Sequence, residues 1–86
     1  MSLHLGACQP GFRGIVLSIS ASGGGGDEAS GRLIERIQEL GFIPGGEVEV
    51  LHQAPFFGDP LAVRVRGAII ALRRHEANHV LVEEKK

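Results

Sequence analysis

The stretch from Leu40 to Gly67, LGFIPGGEVEVLHQAPFFGDPLAVRVRG, decides the fold, because each part of it stops, extends or turns the chain. Gly41 can take the left-handed conformation that closes a helix, and Phe42 then falls where a Schellman motif places an apolar contact, against Ile37. Pro44 keeps the helix from resuming. Glu47 to His52 alternates so that Val48 and Val50 face inward and both glutamates outward, with Leu51 on the polar side. Gly58-Asp59-Pro60 is strong turn chemistry. Leu61, Val63 and Val65 then alternate with Ala62, Arg64 and Arg66, and Gly67 permits the positive backbone angle of a tight hairpin.

Upstream, Leu33, Ile37 and Leu40 recur at helical spacing, with Ile34 widening the stripe, and predict a helix over Asp27 to Leu40. Asp27 and Glu28 suit its positive end, and Ser30 is a second candidate cap. Ser20 to Gly26, with four consecutive glycines, reads as a flexible connection, since it lacks both the Gly-Lys-Ser and the Gly-x-Gly-x-x-Gly pattern of phosphate loops. Phe12 to Ser20 reads as the first strand, with Ile15, Leu17 and Ile19 on one face and Val16 and Ser18 on the other. Met1 to Pro10 shows no sustained period, and residues 1–11 are expected to form a loosely structured lead-in. Downstream, Ala68 to Leu72 is a strand, Arg73 to Asn78 a single helical turn, and Val80 to Val82 a last strand before a charged tail. The sum is a mainly β fold: a small five-stranded SH3-like barrel with one α-helix after the first strand and a short helical turn before the last.

A chain of 86 residues, 43% of them apolar, allows one domain with one modest core, here placed over residues 1–86 with its core at about 12–84. Nine Lys and Arg against ten Asp and Glu leave a net charge of -1, which argues against a nucleic-acid partner. The single Cys8 cannot form an internal disulfide, and the N-terminal segment has no signal-peptide pattern, so a reducing cytoplasm is expected. The longest apolar run, Ala68 to Leu72, is far short of the roughly 20 residues a bilayer requires, and any membrane role would come through a partner.

Leu40-Gly41, Pro44-Gly45, Val48 with Val50, Gly58-Asp59-Pro60 and the hairpin Val63 to Gly67 together resemble the FeoA family of ferrous-iron transport proteins. Leu72-Arg73-Arg74 with Ala77 before a Val-Leu-Val strand extends the likeness, which covers Phe12 to Glu84. The resemblance implies a cytoplasmic, non-enzymatic accessory of ferrous-iron uptake that acts by contact with the cytoplasmic region of the FeoB permease and requires no cofactor. The alternative is a transition-metal-binding regulatory module, by similarity to the C-terminal SH3-like domain of iron-dependent repressors. The Ser20 to Ser30 connection is longer and richer in glycine than the family pattern leads one to expect.

No Gly-x-Ser-x-Gly or Cys-x-x-Cys motif is present and no catalytic residues are assigned; Cys8 reads as a small buried residue. Among four histidines, His75 and His79 share one face if helix continues through both, with Glu76 as a neighbouring oxygen donor. These three are the candidate ligands for a transition metal, Fe2+ or an adventitious Zn2+; solvated side chains are the more ordinary outcome at such spacing. Arg13, Arg64, Arg66, Arg73 and Arg74 could form a basic patch, or simply a solvated face that protects sheet edges. Absence of Trp and Tyr disfavours a proline-rich ligand. Phe56 and Phe57, adjacent in a turn-rich loop, and Arg64 and Arg66 in the hairpin are the candidate partner-binding residues. Exposed strand edges leave a homodimer open.

Overall fold

A computed structural model describes residues 2–20, 28–55 and 57–85. Nine elements follow in order: β1 (Ser2–His4), a 3-10 turn (Leu5–Ala7), β2 (Arg13–Ile19), α1 (Glu28–Leu40), β3 (Glu47–Gln53), β4 (Leu61–Val65), β5 (Ala68–Leu72), α2 (Arg74–Ala77) and β6 (Val80–Glu84). The strands form one antiparallel sheet in the order β1-β6-β2-β3-β4-β5. Inward side chains of β2 through β6 all join one cluster, so the sheet must curl around a single core. Register shifts in β2 between Val16 and Ser18 and in β3 between Val50 and His52 supply bulges, which increase local twist.

The helix ends as its sequence dictates. Gly41 has φ 115°; its N–H donates to the Gln38 carbonyl at 3.0 Å, and the Phe42 N–H to the Ile37 carbonyl at 3.3 Å. That Schellman closure turns Phe42 into the core beside Ile37, with Leu33 and Leu40 packed at the margin. Val48, Val50, Leu61, Val63 and Val65 are buried as their alternation requires. Between β4 and β5, Arg66 at φ 51° and Gly67 at φ 80° make a two-residue turn whose positive angles suit the twist of the strands it joins.

Two expectations are corrected. The sheet has six strands rather than five, because residues 2–4 pair with β6 instead of forming a loose lead-in. Leu5 follows at 0% exposure and Cys8 is buried, so the N-terminal segment closes one side of the core. A three-residue strand and a 3-10 turn are too short to show any period, which is why the pattern was silent there. Gly6 permits the closure: a Cβ would sit 2.0 Å from Asn78 Oδ1 and 2.4 Å from the Arg74 carbonyl. The second correction concerns β2, where Val16 faces the core and Leu17 is exposed, since the bulge inserts a residue and breaks strict alternation before Ile19 returns to the core margin. The glycine-rich connection expected from Ser20 to Gly26 lies, beyond Ser20, outside the described residues.

Replacing Leu5 by Ala should destabilise the fold by about 2–5 kcal/mol, as for other fully buried leucines. Urea unfolding monitored by circular dichroism measures this, and a loss below about 0.5 kcal/mol would show that the N-terminal segment is dispensable.

Candidate interaction site

The outward residues of adjacent strands come into line by register. Arg13 of β2 lies opposite Glu49 of β3, Glu49 opposite Arg64 of β4, and Arg64 opposite Ile69 of β5. Around this row a groove of about 320 Å³ is lined by Arg13, Glu47, Glu49, Arg64, Arg66 and Lys85, among others. Arg64 Nη1 lies 3.3 Å from Glu49 Oε1, and Lys85 hydrogen-bonds Glu47. The Lys85 hydrogen bond and charge hold the Glu47 carboxyl below the usual carboxylate range. Both groove carboxylates are therefore paired, whereas Arg13 and Arg66 make no side-chain hydrogen bond among the described residues. Four cations against two carboxylates leave this face positive on a chain whose net charge is -1. Arg64 and Arg66 thus share a surface with Arg13, but Arg74 does not belong to it.

Arg74 is instead a structural clamp. Its Nε donates to the Gly58 carbonyl at 2.7 Å, Nη1 to the carbonyls of Gly6 at 2.9 Å and Cys8 at 3.0 Å, and Nη2 to Gln53 Oε1 at 2.6 Å. Its backbone N–H donates to Asp59 Oδ1 at 2.9 Å. The clamp fixes the base of the β3–β4 loop, from which Phe57 projects with 100% of its surface exposed and φ 65°. A non-glycine residue in that region is uncommon, and a wholly exposed Phe gains nothing from folding. Phe56 lies outside the described residues. Because Arg74's acceptors are scattered along the chain, no local pattern could have singled it out, whereas the groove was foreshadowed by the outward Glu47, Glu49, Arg64 and Arg66.

The histidines part company. Helix α2 ends at Ala77, and His79 beyond it is 3% exposed, its Nδ1 2.8 Å from the Ser20 carbonyl, so Nδ1 carries the proton. His75 is exposed on α2. Glu76 accepts from the Arg73 N–H at 3.0 Å and lies 3.5 Å from Arg36. Among the described residues no three His, Cys, Asp or Glu side chains converge as a metal site would require. Burial pushes the Cys8 thiol from 9.0 up to about 11, although the Arg74 guanidinium pulls the other way, and its Sγ lies 3.6 Å from the His4 carbonyl. A thiol held neutral in this way is a packing group, not a nucleophile.

The FeoA domain family model matches residues 3–84. The chain belongs to the FeoA family. Among solved relatives, the FeoA-like protein from Clostridium acetobutylicum is 29% identical, with 96% of this chain and 86% of that one covered at a TM-score of 0.78. FeoA from Stenotrophomonas maltophilia, solved in complex with zinc and described as a prokaryotic SH3 domain protein, is 32% identical, with 96% of this chain and 89% of that one covered at a TM-score of 0.75. A manganese-dependent transcriptional repressor, 21% identical, shares the fold over 98% of this chain and 42% of its own at a TM-score of 0.76. No curated protein matches. No helix among the described residues is long and apolar enough to cross a membrane.

Two measurements test the roles assigned to Arg74 and Cys8. Arg74→Ala should cost about 2–4 kcal/mol in urea unfolding, and Arg74→Lys should recover less than half, because an ammonium cannot reach four separate acceptors. At pH 8 a thiol at about 11 is about 100-fold less ionised than one at 9.0, so iodoacetamide should alkylate native Cys8 at least that much more slowly than the urea-unfolded chain. Equal rates would contradict the burial.

Proposed function

We propose that this FeoA-family chain is a non-enzymatic accessory of ferrous-iron transport, cytoplasmic, working by contact with the cytoplasmic region of the FeoB permease. The observation that carries the contact is Phe57: a large apolar side chain held entirely in solvent, on unfavourable backbone, by a loop that Arg74 and Asp59 pin from beneath. Stability alone gives no reason to keep it. The family membership and the Stenotrophomonas maltophilia relative, put forward as an activating factor of bacterial ferrous iron transport, support the transport role. Arg64 and Arg66, at the positive groove, supply charge that would steer an acidic surface of the permease into register. Acting without turnover, the domain would bias an equilibrium of the permease by binding one of its states more tightly.

The decisive comparison sets stability against binding. Phe57→Gly relieves the positive φ and should leave the fold unchanged or up to about 1 kcal/mol more stable, while weakening binding to the FeoB cytoplasmic region about tenfold or more in calorimetry. Arg64→Glu with Arg66→Glu should slow association and reduce its salt dependence. Absence of binding by the wild-type chain at tens of micromolar, with iron uptake unaltered by its deletion, would sink the reading.

A second reading, a transition metal at His75, Glu76 and His79, draws its support from the zinc complex of the relative. Since these side chains do not converge here, exposed His75 would be the principal ligand, with water completing the shell. Zinc titration followed by NMR at the imidazoles, with His75→Ala as control, tests it.

A further inference from the structure

Strand β5 is one of the two edges of the sheet. β5 pairs with β4 on one side and, among the described residues, with no strand on the other. Its sequence, AIIAL, has no charge, no proline and no bulge, the devices by which exposed edges are normally protected. The opposite edge, β1, is only three residues long.

The ladder phase shows which backbone groups are free. The Ala54 N–H donates to the Pro60 carbonyl at 3.0 Å, so alternate residues of β4 starting from position 60 bond toward β3, and Leu61, Val63 and Val65 bond toward β5. Their partners Leu72, Ile70 and Ala68 are thereby used. Ile69 and Ala71 are left with N–H and C=O pointing away from the sheet, and their side chains share the outer face, Ile69 at 63% exposure. Arg66 precedes the strand and Arg73 follows it, both exposed, roughly 20 Å apart at about 3.3 Å per residue.

We propose that the β5 edge is a strand-addition site for an extended segment of a partner protein that is apolar at its centre and acidic at both ends. Main-chain bonds to Ile69 and Ala71 would hold the segment, its apolar side chains would cover Ile69, and its carboxylates would meet Arg66 and Arg73. The charges disfavour a second copy as the occupant. Antiparallel pairing of two β5 strands about Ile70 sets Arg73 of each copy beside Arg66 of the other, placing like charges together at both ends. The inference shares Arg66 with the positive groove but rests on neither Phe57 nor the iron-transport role, and Ala71→Pro leaves Arg66 untouched, so the permease assay and the experiment below can fail separately.

The probe is a fluorescein-labelled peptide, Glu-Val-Thr-Ile-Thr-Val-Thr-Glu, titrated by fluorescence polarisation against the full chain. Saturable binding is expected, with amide exchange slowed at Ile69 and Ala71. Exchanging both glutamates for lysine should weaken it at least about tenfold, and Arg66→Glu with Arg73→Glu should reverse that preference. Ala71→Pro removes an outward N–H while leaving the β4 ladder whole, and should also cost about tenfold or more. If Ala71→Pro does not give a dispersed NMR spectrum, Ile69→Glu replaces it, since that exposed side chain would repel the acidic peptide. No saturation by about 1 mM, protection mapping to the Arg13–Glu49 groove instead, or a concentration-dependent dimer abolished by Ile69→Glu would each overturn the proposal.

Discussion

The structure depends on one guanidinium more than on any other polar group. Arg74 donates four side-chain hydrogen bonds to segments that are remote in sequence: the 3-10 turn at Gly6, the following Cys8, the end of β3 at Gln53 and the loop at Gly58. Three of the four acceptors are backbone carbonyls, which have no strand partner at those places and would otherwise meet a desolvation cost. Arg74 also opens α2, whose Ala77 enters the core and whose Asn78 leaves room only for a glycine at position 6. The same residue therefore joins the N-terminal segment to the barrel and shapes the base of the loop that carries Phe57.

That arrangement separates what holds the fold from what the surface offers. Among the described residues the interior is mainly Val, Leu and Ile with Phe42 as a fully buried aromatic, and its polar groups are engaged within the fold: His79 is bonded to the Ser20 carbonyl, and Cys8 is kept as a thiol. The surface features are different in kind. Phe57 costs backbone strain and contributes no burial, Ile69 lies on an unprotected edge, and Arg13 and Arg66 stand beside ion pairs without joining them. A chain of this size can spare few residues from its core, which makes such placements informative.

How legible this was depends on the range of the interaction. The helix stop at Gly41, the inward valines of β3 and the turn at Gly67 are local devices whose geometry follows from neighbouring residues, and all three stand as read. Strand β1 and the burial of Leu5 were invisible because three residues carry no period and their partners, Val82 and Leu81, come at the far end of the chain. The facing of β2 was misread because a bulge leaves no signature in a run of apolar residues. Arg74 was grouped with the surface arginines since sequence cannot tell a guanidinium that finds four acceptors from one that finds water. Arg64 and Arg66 were singled out from their hairpin, yet their relation to Arg13 and Lys85 needed the register of three strands.

Register also explains why the outer face carries an ordered charge pattern although the chain as a whole is nearly neutral. Across the sheet the row runs Arg13, Glu49, Arg64 and then Ile69, so charge alternates until the edge, where it stops. The interior pairs satisfy one another, and a one-residue slip between β3 and β4 would both bury glutamates and set Arg64 against valine. The alternation thus reinforces the register that the core valines impose, while the excess cations fall at its margins, on Arg13 and Arg66. Electrostatic selectivity on this face is consequently a property of its boundaries: a partner gains by reaching a margin with negative charge, and gains little at the centre, where it would have to compete with ion pairs already made.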